Sequence, residues 1–256
     1  MDTRIFYSLL EKITFGRGLP KTVNGIKVTL PARYIRYFPS DYEAANFAFL
    51  RQAAKPGAVI LDIGAHIGLF SVYASKLVQP GGSVFAFEPA PATTTVLHQT
   101  IAINQMKGNV IPVQAAMGAE VGELTFFVSD DEADNSNSLV SYKEDRKLNG
   151  IQVPVDTIDH FVTKQQLQRV DFIKIDVEGA EYDTLRGGLN AINRFKPLVI
   201  LAIHPEPIEK KGDSLEAIYD MLCSLPYNIS CDGKPITRES FCANRELIDL
   251  HLSPRN

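Results

Sequence analysis

The chain has no C-x-x-C pair among its 256 residues, and its three cysteines, Cys223, Cys231 and Cys242, all fall in the last part of the sequence. That usage gives no disulfide framework or zinc cluster; it fits free thiols in a reducing cytoplasm. No long basic run occurs and the formal net charge is -4, so the electrostatic footprint of a nucleic-acid binder is missing. No apolar run is long enough to cross a bilayer. Residues 1–15 do not show the basic, apolar and small-residue order of a secretory leader, so none is expected there. Internal repeats and low-complexity tracts are also lacking. What remains is ordinary for a globular domain: 45% hydrophobic and 22% charged residues.

One further absence is more informative. Val59-Ile60-Leu61-Asp62-Ile63-Gly64-Ala65-His66-Ile67-Gly68 is an apolar run ending in an acid and a glycine turn. This is the pattern of a buried strand opening into a nucleotide-binding loop. A dinucleotide fingerprint needs a second glycine where this chain has His66, because the backbone there approaches a pyrophosphate. With Asp62 at the strand tip, the Gly64–Gly68 loop suits a cationic ligand better, and S-adenosylmethionine carries both a sulfonium and an ammonium.

Beyond the loop, strand patterns at Ser83–Glu88, Val110–Ala115, Phe172–Asp176 and Leu198–His204 alternate with helical ones at Leu69–Leu77, Ala92–Asn104 and Glu181–Ile192. The alternation predicts an α/β fold with a doubly wound, mostly parallel sheet and helices on both faces. Asp213–Asn256 should close it with a helix and an antiparallel hairpin turning at Asp232-Gly233. Two divisions are expected. Residues 1–55 form an N-terminal extension for the substrate side or for dimerisation, with a helix, strands at Gly25–Leu30 and Tyr34–Phe38, and a helix at Glu43–Ala53. Residues 56–256 form the main domain, with an insertion at about 118–170. That insertion holds strands at Glu123–Val128 and Ile151–Val155, a helix at Thr157–Leu167, and the polar stretch Ser129–Ser138, which is a solvated loop or a lid. Ile5, Phe6, Leu9, Leu10 and Ile13 share a helical face that would dock on the body or on a second copy, so a homodimer is open.

Ligands in such sheets sit beyond the carboxyl ends of the strands. Those ends carry Asp62, Glu88, Ala115, Asp176 and His204. Glu88, about 20 residues after the loop, is placed to accept a ribose diol, or to cap the next helix. Asp62 can hold an ammonium, or tie down its own loop. Period-two geometry puts Lys174 and Asp176 on one face of a strand. They form a plain ion pair, or Asp176 faces the reacting centre with Lys174 tuning it. His204 can serve as a general base near neutral pH. Glu181 reads as a structural acid at a helix start. Asp176, Glu178 and His204 offer oxygen and nitrogen ligands without diagnostic spacing, so a divalent metal is not expected. His66 contacts the ligand or caps a helix.

Through Asp62–Gly68, Phe85–Pro89, Gly118–Glu123, Val153–Asp159, Phe172–Glu181, Leu185–Gly187 and His204, the sequence resembles the FkbM family of S-adenosylmethionine-dependent methyltransferases. The resemblance implies a class I methyltransferase (Rossmann-like) sheet. It also implies O-methylation of a hydroxyl, often on a sugar or glycosylated product. The cofactor contacts would be Asp62, Gly64, His66, Gly68, Glu88, Ala115 and Asp176, and the catalytic residues His204, Asp176 and Lys174. The chain departs from the family at His66, usually Asn, and at Ala119, commonly an acid that reads adenine. Two other classes stay open: a nicotinamide-dependent oxidoreductase, and a non-catalytic cofactor-binding scaffold.

Overall fold

The computed structural model describes residue 7 and residues 10–129 and 148–255. Most of the polar stretch 129–138, and most of the N-terminal apolar face, lie outside the described residues. In chain order the elements are β1 (Leu19–Val23), β2 (Ile26–Leu30), a 3-10 turn (Ala32–Tyr37), α1 (Ala44–Ala53), β3 (Val59–Ile63), α2 (Leu69–Val78), β4 (Ser83–Phe87), α3 (Pro91–Ile103) and β5 (Val110–Val113). The insertion supplies β6 (Ala116–Met117), β7 (Gly122–Ser129), β8 (Leu148–Asp156) and α4 (Ile158–Lys164). Then follow β9 (Phe172–Ile175), α5 (Glu181–Arg186), α6 (Leu189–Phe195), β10 (Leu198–Ile203), α7 (Pro205–Lys211), α8 (Leu215–Ser224), β11 (Tyr227–Cys231), β12 (Lys234–Pro235), α9 (Arg238–Cys242) and β13 (Ile248–Pro254).

The main sheet has eight strands in the order β12-β11-β13-β10-β9-β3-β4-β5. Strands β3, β4, β5, β9 and β10 run parallel. β13 enters antiparallel between β10 and β11. The expected closing hairpin is therefore an antiparallel β11–β13 pair, with the Asp232-Gly233 turn leading only to the two-residue strand β12. β6, β7 and β8 make a separate three-stranded sheet.

Burial on both faces explains why the strands read as near-continuous apolar runs. One face packs α1, α2 and α3 against residues such as Ile60, Val84 and Phe172; the other packs α4, α5, α6 and α8 against Leu61, Ile173 and Leu201. The N-terminal section belongs to the first of these cores, through Val23, Val28, Leu30, Phe47 and Leu50.

Two elements differ from the sequence pattern. Tyr34–Tyr37 lies in a 3-10 turn that ends before Phe38, and not in a strand. β2 already pairs with β1, and the Tyr34 amide closes a tight turn on the Pro31 carbonyl at 3.0 Å. The helix expected across Glu181–Ile192 breaks at Gly187-Gly188 into α5 and α6. A Cβ on Gly187 would stand 2.0 Å from the Gly118 carbonyl oxygen, so the backbone of the insertion docks where a continuous helix would carry a side chain.

Phe172 is fully buried and its ring lies 6.0 Å from Phe49 and 6.1 Å from Phe70, linking the N-terminal section to the sheet centre. Phe172→Ala should lower unfolding free energy by about 3 to 5 kcal/mol, the usual cost of an aromatic-sized core cavity. Urea denaturation checks this; a loss under about 1 kcal/mol would mean the section is not integral to the core.

Candidate functional site

The carboxyl ends of β3, β4 and β9 open into a cleft enclosing about 1080 Å³ of empty space, part of it continuous with solvent. Asp62, Gly64, His66, Glu88, Ala115, Lys174 and Asp176 all line it. The opposite wall comes from the N-terminal section: Phe38, Tyr42, Glu43 and Phe47. Phe70 and Phe126 add further apolar surface.

Lys174 points inward from β9 and is 6% exposed. Its Nζ donates to Asp176 Oδ2 at 2.6 Å and lies 5.6 Å from the centre of the Phe70 ring. Burial alone would lower its pKa, but Asp176, Glu43 and Asp62 outweigh that and hold the ammonium above the ordinary lysine range. For Asp176 burial works upward, while Lys174 and then His204 pull its carboxyl below the usual carboxylate range. Both partners are therefore charged at neutral pH.

The β3 tip is built against this pair. Gly64 has φ +83, and a Cβ there would sit 1.8 Å from the Asp176 carbonyl oxygen. The Asp176 amide donates to the Ile63 carbonyl at 3.0 Å. Gly64 is thus required by the neighbouring strand's backbone as well as by the turn it makes.

Asp62 is wholly buried, and burial pushes its carboxyl up to about 6. Its Oδ2 accepts a 2.5 Å hydrogen bond from the Ser71 hydroxyl of α2, while its Oδ1 has no partner. A buried carboxylate oxygen without a donor is costly, and a cationic or hydrogen-bond-donating ligand in the cleft would relieve that cost. Glu88 has the opposite arrangement. Oε2 accepts from the His66 amide and Oε1 from the Ala90 amide, each at 3.0 Å. The acid therefore caps the entry to α3 and pins the glycine loop; carboxylate lone pairs remain for a ligand diol. Burial pushes it up to about 7, against the pull of those two amides.

His66 adopts φ 49, its ring meets Tyr34 edge-on at 6.1 Å between centres, and burial lowers its pKa to about 4. It is a neutral imidazole in the cleft wall.

His204 stands behind Asp176 and is not part of the cleft lining. Its Nδ1 is 2.7 Å from Glu181 Oε1, and its Nε2 is 3.6 Å from Asp176 Oδ1. Glu181 is wholly buried and also accepts the Gly179 amide at 2.9 Å. Burial disfavours the imidazolium, but Glu181 and Asp176 prevail and raise His204 to about 9. At neutral pH His204 is a cation between two carboxylates, which differs from the neutral base expected of it. Among the described residues, no group of three or more His, Cys, Asp or Glu side chains is placed to hold a metal ion. No described helix is long and apolar enough to cross a membrane.

The strand-tip residues were findable because each ends an apolar run. Tyr42, Glu43 and the aromatic wall were not, since nothing in their local pattern announces a cleft. Glu181 looked like a helix-start acid, and its bond to His204 depends on a residue 23 positions away.

The His204 pKa exceeds its unfolded value, so its contribution to stability is full below about pH 6.5 and is lost as pH rises through about 9. In an NMR titration the His204 ring protons should titrate near 9, and Glu181→Gln should bring that midpoint down by at least one unit, roughly the effect of losing a charged partner. A midpoint near 6.5 in the unsubstituted protein would contradict the arrangement.

The methyltransferase FkbM domain profile matches residues 62–229, which is well over half of the chain. Methyltransferase 1 of Beauveria bassiana is 33% identical over 144 residues, 50% of this chain and 57% of that protein. The hexuronic acid methyltransferase AglP of Haloferax volcanii is 29% identical over 155 residues, 60% of this chain and 59% of that one. The chain thus spans under two thirds of the length of the first curated relatives it matches. Among solved structures, Streptococcus mutans SMU.1697c in complex with SAH has a TM-score of 0.51 at 11% identity, covering 82% of this chain and 96% of that one. That likeness is one of fold, and it agrees with the parallel sheet described above. With the profile running from the β3 acid into β11, the chain belongs to the FkbM methyltransferase family.

Proposed function

We propose that the protein is an S-adenosylmethionine-dependent O-methyltransferase acting on the hydroxyl of a sugar or glycosylated small molecule. The observation that carries this reading is the unpartnered, buried Asp62 Oδ1 in the same cleft as the charged Lys174–Asp176 pair. The first is a place for a cation, and the second a place to orient a hydroxyl. The SAH bound to the Streptococcus mutans fold neighbour supports the choice of cofactor, and AglP, named for a hexuronic acid, supports a sugar ring as the acceptor, its carboxylate being the point of difference from the acid-lined cleft here.

S-adenosylmethionine, when bound, supplies an electrophilic methyl group. Asp62 would hold its ammonium and Glu88 its ribose diol, with Gly64, His66 and Ala115 shaping the surrounding wall; Gly68 lies outside the cleft lining, where a Cβ would stand 2.4 Å from Leu97 Cδ1 of α3. Asp176 accepts the hydrogen of the acceptor hydroxyl and takes that proton as the oxygen becomes nucleophilic. Lys174 fixes the carboxylate and balances its charge. His204 acts through Asp176: its imidazolium holds the far side of that carboxylate, and Glu181 holds the ring. Much of the rate comes from alignment inside a cleft that excludes water. The segment containing Phe38, Tyr42, Glu43 and Phe47 forms the acceptor side, which gives residues 1–55 their substrate-side role.

Calorimetry and methyl-transfer assays test the roles separately. Asp62→Asn should weaken S-adenosylmethionine binding about 10- to 100-fold, as expected for losing a charged hydrogen bond. Binding to the unsubstituted protein should weaken as pH falls through about 6, because Asp62 then takes up a proton. Asp176→Asn should lower kcat by about 100- to 10,000-fold with cofactor affinity nearly unchanged, and His204→Gln should lower it less. Full turnover in Asp176→Asn, or no binding of S-adenosylmethionine by the unsubstituted protein, would overturn the reading.

A further inference from the structure

We propose that the acceptor is an uncharged polyol whose hydroxyls are held by Glu43, and that acceptors bearing a carboxylate or phosphate near the reacting oxygen are rejected; this rests on the methyl-transfer reading of the cleft above.

Glu43 lies just before α1 with φ 42 and ψ 44, a left-handed conformation uncommon outside glycine. Glu43 lines two hollows. One is the cleft; the other, open to solvent, spans about 630 Å³ of empty space and is bounded also by Asn46, Asp232, Asp249 and His251. β13 starts beside the carboxyl end of β10, with Ile248 opposite Ile203, so this second hollow opens on the same face as the proposed chemistry.

The buried Asn46 fixes the arrangement. Its Nδ2 donates to Glu43 Oε2 at 3.2 Å and to Asp249 Oδ2 at 2.8 Å, and its Oδ1 accepts from His251 Nε2 at 2.8 Å. His251 is itself stacked on Phe49, with ring centres 4.3 Å apart. One amide therefore holds two carboxylates side by side without neutralising either.

Charge decides what can approach them. Among the described residues lining both hollows, Lys174 is the one lysine or arginine, and its ammonium already faces Asp176 at 2.6 Å. The imidazolium of His204 faces Glu181 and Asp176. An anionic acceptor would meet Glu43, Asp176, Asp232 and Asp249 with no uncommitted counter-charge, and close like charges suppress binding. A carboxylate accepts hydroxyl donors readily, and the half-buried Tyr42 beside it, backed edge-on by the buried Phe38, adds apolar surface for the C–H groups of a sugar ring. The fully buried Asp62 Oδ1 lines the same cleft, where the cationic cofactor is placed. The acids of the cleft are thus shared between a cation and a neutral polyol.

The test uses the full chain, methyl-labelled S-adenosylmethionine and a small-molecule and glycan extract, with products separated on anion and cation exchangers. Label should emerge unretained by either resin. Glu43→Gln should cut incorporation by about tenfold or more, the usual effect of removing a charged hydrogen-bond partner. In a calorimetric titration its affinity for S-adenosylmethionine should stay within about twofold, since Glu43 acts on the acceptor. Labelled product retained on either exchanger would overturn the proposal. So would an unchanged rate in Glu43→Gln, or no label from protein that binds S-adenosylmethionine. Failure to bind S-adenosylmethionine would instead overturn the methyl-transfer reading, and this proposal with it.

Discussion

An ammonium buried in the middle of a parallel sheet has to be matched, and Lys174 is matched by Asp176 at 2.6 Å. Truncating Asp176 would leave that buried ammonium stranded, which typically costs about 3 to 5 kcal/mol. Much of the cleft follows from that constraint. Asp176 must remain at the end of β9, so the β3 tip must pass close to its carbonyl, and only Gly64 fits there. His204 then faces the remaining carboxylate oxygen, and Glu181 holds His204 from behind. Carboxylates and cations alternate from Glu181 through His204 and Asp176 to Lys174.

Beside that alternation, the other acids of the cleft differ in how they are satisfied. On one side, Glu88 has both oxygens occupied by backbone amides, and Asp62 has one oxygen satisfied by Ser71 and one left over. On the other, Glu43 and Asp249 share the amide of Asn46. The cations present are already committed to partners, so the lining has polar character without an open positive site. A cationic cofactor and a neutral acceptor are the ligands such a lining favours.

How much of this the sequence disclosed depended on distance along the chain. Asp62, Glu88, Lys174 and Asp176 were legible because each sits at or near the end of an apolar run, and the parallel sheet followed from the alternation of such runs with helical patterns. Gly64 was legible as a turn glycine, but the contact that forbids a side chain there comes from Asp176, on another strand. His204 was placed correctly at the end of β10. Its charge was not, since Glu181 and Asp176 decide it through space. Residues 38–47 were the least readable. Their side chains carry no motif, and Phe38, Tyr42 and Glu43 become cleft residues only because the N-terminal section packs into the core under β3 and β4.

The most direct test of the account is a crystal structure of the protein with S-adenosylhomocysteine. The ligand's amino group should lie within about 3 Å of Asp62 Oδ1, with its ribose diol on Glu88 and open space between its sulfur and Asp176. A ligand bound in the cleft with Asp62 Oδ1 still unpartnered, or with the amino group on Glu43, would contradict the division of the cleft on which the mechanism rests.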